Sequence, residues 1–154
     1  VYISNQDGSY IKTDTLFLNA KSMDLDDNKL VVSSDTSGAD GKSTLSLYEI
    51  NSFGKAYLLN STEIPIDSGW YGSLKLSNSK VIVRNIAYTI SEQNNFILEE
   101  IFKHPKEYVS DQHFYGLGYW SVSLSGDYFL LDARSWMNEN LVRTGSAVLF
   151  RANK

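Results

Sequence analysis

Apolar and polar residues alternate with a period of two along most of this chain, in short runs broken by Gly, Asn, Asp and Ser. Such a period puts every second side chain on one face of a pleated strand, so the pattern predicts β-structure throughout. The clearest run is Ser121-Val122-Ser123-Leu124-Ser125-Gly126-Asp127-Tyr128-Phe129-Leu130-Leu131, two short strands folded about a Ser-Gly-Asp turn. The same layout occurs twice upstream. Ser22-Met23-Asp24-Leu25 leads through Asp26-Asp27-Asn28 into Lys29-Leu30-Val31-Val32, and Ser73-Leu74-Lys75-Leu76 leads through Ser77-Asn78-Ser79 into Lys80-Val81-Ile82-Val83. The copies start 51 and 48 residues apart (73 − 22 and 121 − 73). Met23, Leu74 and Val122 match, as do Leu25, Leu76 and Leu124, then Leu30, Val81 and Phe129, then Val32, Val83 and Leu131. These matched positions are expected to be core, with Asn28, Ser79 and Asp127 as turn residues. Self-similarity at roughly 50 residues, all in strands, points to a propeller or another repeated β architecture.

The remaining segments extend this reading. Val1–Ser4 and Tyr10–Leu18 flank Asn5-Gln6-Asp7-Gly8, and Asp-Gly is a hairpin signal because Gly tolerates positive φ. Strands are expected at Thr44–Ile50 and Ala56–Asn60 around an Asn51-Ser52-Phe53-Gly54 turn, then at Ile86–Ser91 and Phe96–Phe102. Glu99 and Glu100 leave a helix open as the alternative for Phe96–Phe102. A connector, Lys103 to Gly118, carries both His residues; a loop, Asp132 to Thr144, precedes a last strand, Ser146–Arg151. The expected organisation is a single all-β repeat domain over 1–154: a partial blade (1–18), two blades (19–64 and 65–104) and a second partial blade (117–154).

Composition narrows the function classes. A net charge of −4 lacks the basic stripe that replaces phosphate counterions, so nucleic acid is not an expected partner. No apolar run is long enough to span a bilayer as a helix, so no membrane insertion is expected. Without Cys, disulfides, Cys-ligated zinc and thiol catalysis are excluded together. The chain opens on Val1-Tyr2-Ile3, directly in strand-like sequence, which reads as a mature, processed or excised segment.

On these residues the chain resembles a known family. Ser121 to Leu131 followed by Gly145-Ser146-Ala147-Val148-Leu149-Phe150-Arg151 is similar to blades of FG-GAP (integrin-α-type) β-propellers, and Val1 to Tyr10 looks like the third strand, hairpin and fourth strand of such a blade. The chain departs from the family where Phe-Gly would precede each core Ser, having Gly118-Tyr119, Trp70-Tyr71 and Asn19-Ala20 there, and Asp132-Ala133-Arg134 where the family shows Gly-Ala-Pro. The resemblance implies four-stranded blades, and three blade-equivalents are fewer than the four to eight of a closed ring. Additional blades or self-association would complete it. The alternative fold is a β-trefoil, which closes with three repeats and needs no partner.

Candidate chemistry is sparse. Asp24, Asp26, Asp27 and Asn28 cluster at a hairpin tip, and hard cations such as calcium take oxygens of this kind, although a tight turn converges too few of them. His104 and His113 are the only imidazoles, and no Gly-x-Ser-x-Gly elbow occurs, so no catalytic residues are assigned and no cofactor is expected. Aromatic residues are the better lead. In a propeller, the loops after strand two and those between blades share one face. On this chain they carry Trp70, Tyr71, Tyr115, Tyr119, Trp120 and Trp136. Trp136, Trp70, Tyr71 and Tyr115, with His113 and Arg134 as polar neighbours, are the candidate ligand-binding residues, because Trp, Tyr and Arg dominate interface hot spots. The expected function is a non-enzymatic binding or adhesion module of an exported protein, at the cell surface, outside the cell or in the periplasm, with a protein or glycan ligand. The alternative is a structural propeller segment of a larger enzyme such as a glycosidase.

Overall fold

The computed structural model describes residues 1–4, 6–16, 19–35, 43–65, 73–102, 118, 121–132 and 147–151. Every regular element among them is a β-strand, and every pairing is antiparallel. The chain divides into two compact units, Val1–Gly69 and Trp70–Lys154.

The first unit holds a two-stranded hairpin, β1 (Tyr2–Ser4) with β2 (Tyr10–Lys12), and a four-stranded meander. The meander runs β3 (Ala20–Asp26), β4 (Lys29–Asp35), β5 (Ser43–Ile50), β6 (Ala56–Ile64), paired in sequence order. Its middle strands are buried on both faces: Leu30, Val31, Val32 and Ser33 on β4, and Ser43, Leu45, Leu47 and Tyr48 on β5. The second unit holds a four-stranded meander of β7 (Leu74–Ser77), β8 (Lys80–Val83), β9 (Ile86–Ile90) and β10 (Phe96–Ile101), and a three-stranded one of β11 (Val122–Ser125), β12 (Tyr128–Asp132) and β13 (Ala147–Arg151). The strand grouping of two, four, four and three is the one the repeat predicts. The Phe96–Phe102 segment is strand up to Ile101, not helix.

Turn geometry shows the repeat more sharply than residue identity does. The first and second strands of each of the three larger sheets join through two residues, Asp27-Asn28, Asn78-Ser79 and Gly126-Asp127, between the opposed pairs Asp26/Lys29, Ser77/Lys80 and Ser125/Tyr128. The first turn residue has positive φ each time: Asp27 54°, Asn78 49°, Gly126 56°. Asx and Gly are the residues that enter this region at least cost. The third and fourth strands join through five residues, between the opposed pairs Ile50/Ala56 and Ile90/Phe96. Ser4/Tyr10 on the first hairpin encloses a loop of the same length. Its fourth residue has positive φ in all three: Gly8 82°, Gly54 71°, Asn94 62°. In the two full sheets this loop is a type I turn closed by a left-handed residue, with Gly54 N–H donating to Asn51 C=O (2.8 Å) and Asn94 N–H to Ser91 C=O (2.9 Å). The first loop side chain caps it: Asn51 Oδ1 accepts from Phe53 and Lys55 N–H, and Ser91 Oγ accepts from Asn95 N–H. The β1–β2 hairpin thus shares the loop length and the left-handed fourth loop residue of the third-to-fourth-strand hairpins.

Two expectations change in detail. The second arm of the first hairpin, expected to run to Leu18, ends at Lys12. Beyond it the chain turns to the β5–β6 hairpin, with Thr13 Oγ1 donating to Gly54 C=O (2.9 Å) and Ala56 N–H donating to Asp14 Oδ2 (3.0 Å). The backbones of both residues still bond to Val1, whose carbonyl accepts from Thr13 N–H (3.0 Å) and whose amine donates to Asp14 C=O (2.7 Å), so only their side chains reach the loop. The sixth strand runs four residues past Asn60, to Ile64, because β5 continues opposite it to Ser43.

Candidate functional site

The six candidate ligand-binding residues, Trp136, Trp70, Tyr71, Tyr115, His113 and Arg134, lie outside the described residues, as do Tyr119 and Trp120. The strand ends that launch their segments are described. In each sheet the connection from second to third strand leaves from the end opposite the short turns: after Asp35, after Val83 and after Asp132. The middle one is a two-residue turn, Arg84-Asn85, whereas 36–42 and 133–146 are long insertions at the same topological place.

At the acidic hairpin tip Asn28 Nδ2 donates to Glu49 Oε1 (3.2 Å), and Asp26 lies opposite Lys29. Among the described residues no group of three or more His, Asp or Glu side chains is placed to hold a metal ion. Asp127, read as a turn residue, forms an ion pair with Lys80 of β8 and so ties the β11–β12 turn to the preceding sheet. Tyr88 is a buried titratable group, 3% exposed, with Phe96 edge-on at 6.0 Å between ring centroids. Burial pushes its phenol up to about 12, and its hydroxyl has no hydrogen-bond partner among the described residues.

A different surface stands out among the described residues. An open groove of about 710 Å³ lies in the first unit between the β1–β2 hairpin and one face of the β3–β6 sheet. The hairpin side supplies Val1, Tyr2, Lys12 and the Asp14-Thr15-Leu16 segment; the sheet side supplies Ala20, Met23, Asp24, Leu25, Leu30, Val32 and Ile50. The floor is one face of the sheet, because the register opposes Met23 to Val32 and Leu25 to Leu30. Leu16, Ala20 and Ile50 pack on Leu30, Val32 and Tyr48 at its closed end. At the open end Met23 and Leu25 are 58% and 53% exposed. Both were expected in the core; they belong to the core pattern but lack a cover. Asp14 holds the wall in place through two accepted N–H bonds, from Ala56 and Thr15, which lower its carboxyl below the ordinary value.

Sequence reasoning assigned these residues the right face and could not see that the face is open, because alternation encodes which side of a strand is apolar and not what lies across from it. Comparison with protein-family models, curated proteins and solved structures finds no match.

Proposed function

We propose that the chain is a blade-forming segment of a β-propeller of the FG-GAP kind, serving as a non-enzymatic binding module of an exported or surface protein. The observation that carries this reading is the recurrence of one meander with fixed turns: two residues between first and second strands, five between third and fourth. A trefoil instead pairs strands of successive repeats around a barrel, whereas each described sheet here pairs within itself. Where the turns are fixed, the insertions at 36–42 and 133–146 are free to vary, and variable loops on a rigid scaffold are where recognition concentrates. Trp136 and Arg134 in the longer insertion, with Trp70, Tyr71, His113 and Tyr115 in the connections, would supply the contacts to a protein or glycan.

The test is binding of the full chain to a glycan array and a panel of surface proteins, with Trp136→Ala alongside. The expected result is a ligand whose affinity falls at least about tenfold in the variant at unchanged far-UV circular dichroism. Absence of any ligand, or release of the aryl group from simple aryl glycosides by this chain, would overturn the reading.

A further inference from the structure

The groove of the first unit has a filled counterpart in the second, and the two can be matched residue by residue. In the second unit the β11–β13 sheet presents Val122, Phe129 and Leu131, and these form one buried cluster with Ile82, Ala87 and Phe102 of the preceding sheet. The cover therefore comes from three places: the second strand (Ile82), the third strand (Ala87) and the residue after the fourth strand (Phe102). Phe102 lies 5.3 Å from Phe129 and 4.4 Å from Phe150 between ring centroids.

The equivalent floor in the first unit is Met23, Leu30 and Val32. Its cover follows from the hairpin registers, since Ser4/Tyr10 corresponds to Ile90/Phe96, an offset of 86 residues (90 − 4 and 96 − 10). Val1 then takes the place of Ala87, and Leu16 the place of Phe102. The structure bears this out, because Val1 lines the groove and Leu16 packs on the Leu30–Val32–Tyr48 cluster just as Phe102 packs on its own. No described residue stands at the place of Ile82. Two of the three covering positions are thus filled, and the third is the groove. Exposure agrees: Ile82 is fully buried, whereas Met23 and Leu25 lie bare. The β1 strand, which would pair with that second strand, has β2 as its only partner among the described strands. Its counterpart β9 is paired on both sides. Tyr2 repeats the contrast, being 64% exposed where its counterpart Tyr88 is 3% exposed.

We propose that this groove is a docking site for a β-hairpin of the chain's own first-and-second-strand type. One strand of the hairpin runs antiparallel to β1 and completes its ladder. That strand places a branched apolar side chain over Met23, Leu30 and Val32, the counterparts of the residues that Ile82 packs on in the second unit. An open strand edge beside an apolar trough is the arrangement that accepts an added strand, the edge giving affinity and the trough giving specificity. The internal repeat gives the occupant's type: two strands joined by a two-residue turn, apolar at alternate positions. This inference rests on the sheets alone and is independent of the loop-face reading above.

The test adds the hairpin to the full chain. A copy of residues 73–86 is placed directly before Val1, a junction set by the correspondence of Val1 with Ala87. The expected result is slowed hydrogen exchange at the outward amides of Tyr2–Ser4 and a thermal midpoint raised by at least about 5 °C. A second version with Leu74, Leu76, Val81 and Ile82 of the copy changed to Ser should show neither effect. Unchanged exchange at Tyr2–Ser4, or equal gains from the Ser version, would overturn the proposal. Concentration-dependent protection of Tyr2–Ser4 in the unmodified chain, abolished by Leu25→Asp, would overturn it in favour of a second copy as the occupant.

Discussion

Met23 and Leu74 occupy the same position in successive copies of the repeat, 51 residues apart (74 − 23), yet Met23 is 58% exposed and Leu74 2%. The next apolar pair behaves alike, with Leu25 at 53% and Leu76 at 6%. Sequence position within the repeat decides the face, and the neighbour across the face decides the energy.

The first prediction follows from that difference. Leu76→Ala deletes buried methyl groups and should cost about 2–5 kcal/mol. Leu25→Ala, chemically identical, removes groups that are mostly in water and should stay within about 0.5 kcal/mol. Urea unfolding of the two variants, with the slope held fixed, measures both.

Gly54 and Gly8 offer a second paired test. Both have positive φ, 71° and 82°, at the same loop position. A β carbon at Gly54 would clash with the Thr13 side chain, whereas no described residue lies within 4 Å of one at Gly8. Gly8→Ala should therefore cost about 1 kcal/mol, the conformational term alone. Gly54→Ala should cost clearly more, since it also displaces Thr13 and its bond to the Gly54 carbonyl. Equal losses would mean that the hairpin and the β5–β6 loop do not touch.

Tyr88 carries the pH prediction. Its hydroxyl is buried without a partner among the described residues, so Tyr88→Phe should stabilise by about 1 kcal/mol at neutral pH. The sign at alkaline pH is fixed by the raised folded value, about 12 against an ordinary 10.0. Between those values the unfolded chain loses the phenolic proton and the folded chain keeps it. Stability is therefore intact below pH 10 and falls as pH rises, at roughly 1.4 kcal/mol per pH unit for this group. The Phe variant lacks that part of the slope, and denaturant midpoints compared at pH 9 and 11 would reveal it.

Cohesion between the two sheets of the second unit should rest on packing more than on charge. Phe102→Ala removes a ring that touches both Phe129 and Phe150, and should cost about 3–5 kcal/mol. Lys80→Ala breaks the pair with Asp127, whose partners are both about a third exposed, and should cost at most about 1 kcal/mol. A larger loss for Lys80 than for Phe102 would reverse that assignment.

Strand placement was legible because it rests on local information. Alternation located the three strand pairs beginning at Ser22, Ser73 and Ser121, and the Gly and Asx turns located their hairpins. The longer-range features were not legible. That the Thr13 and Asp14 side chains tie the first hairpin to the β5–β6 loop depends on Gly54 and Ala56, more than forty positions away. That Asp127 is an ion-pair partner depends on Lys80 arriving from another sheet. The groove is a relation between strands, and a single strand's pattern cannot state what faces it. The aromatic candidates at Trp70, Tyr71, Tyr115 and Trp136 were chosen from loop composition, and the described strands fix only the end of the sheet from which their segments leave.

The absence of cysteine allows one direct measurement of the central claim, that a repeated sheet face is covered in its later copies and open in its first. Single cysteines at Met23, Leu74 and Val122 occupy one repeat position in three sheets, at 58%, 2% and 4% exposure. Thiol labelling under native conditions should be fast for Met23→Cys. For Leu74→Cys and Val122→Cys it should be slower by on the order of a hundredfold or more, as a local opening cost of about 3 kcal/mol imposes. Labelling of Met23→Cys as slow as the other two would show the face closed and contradict the account.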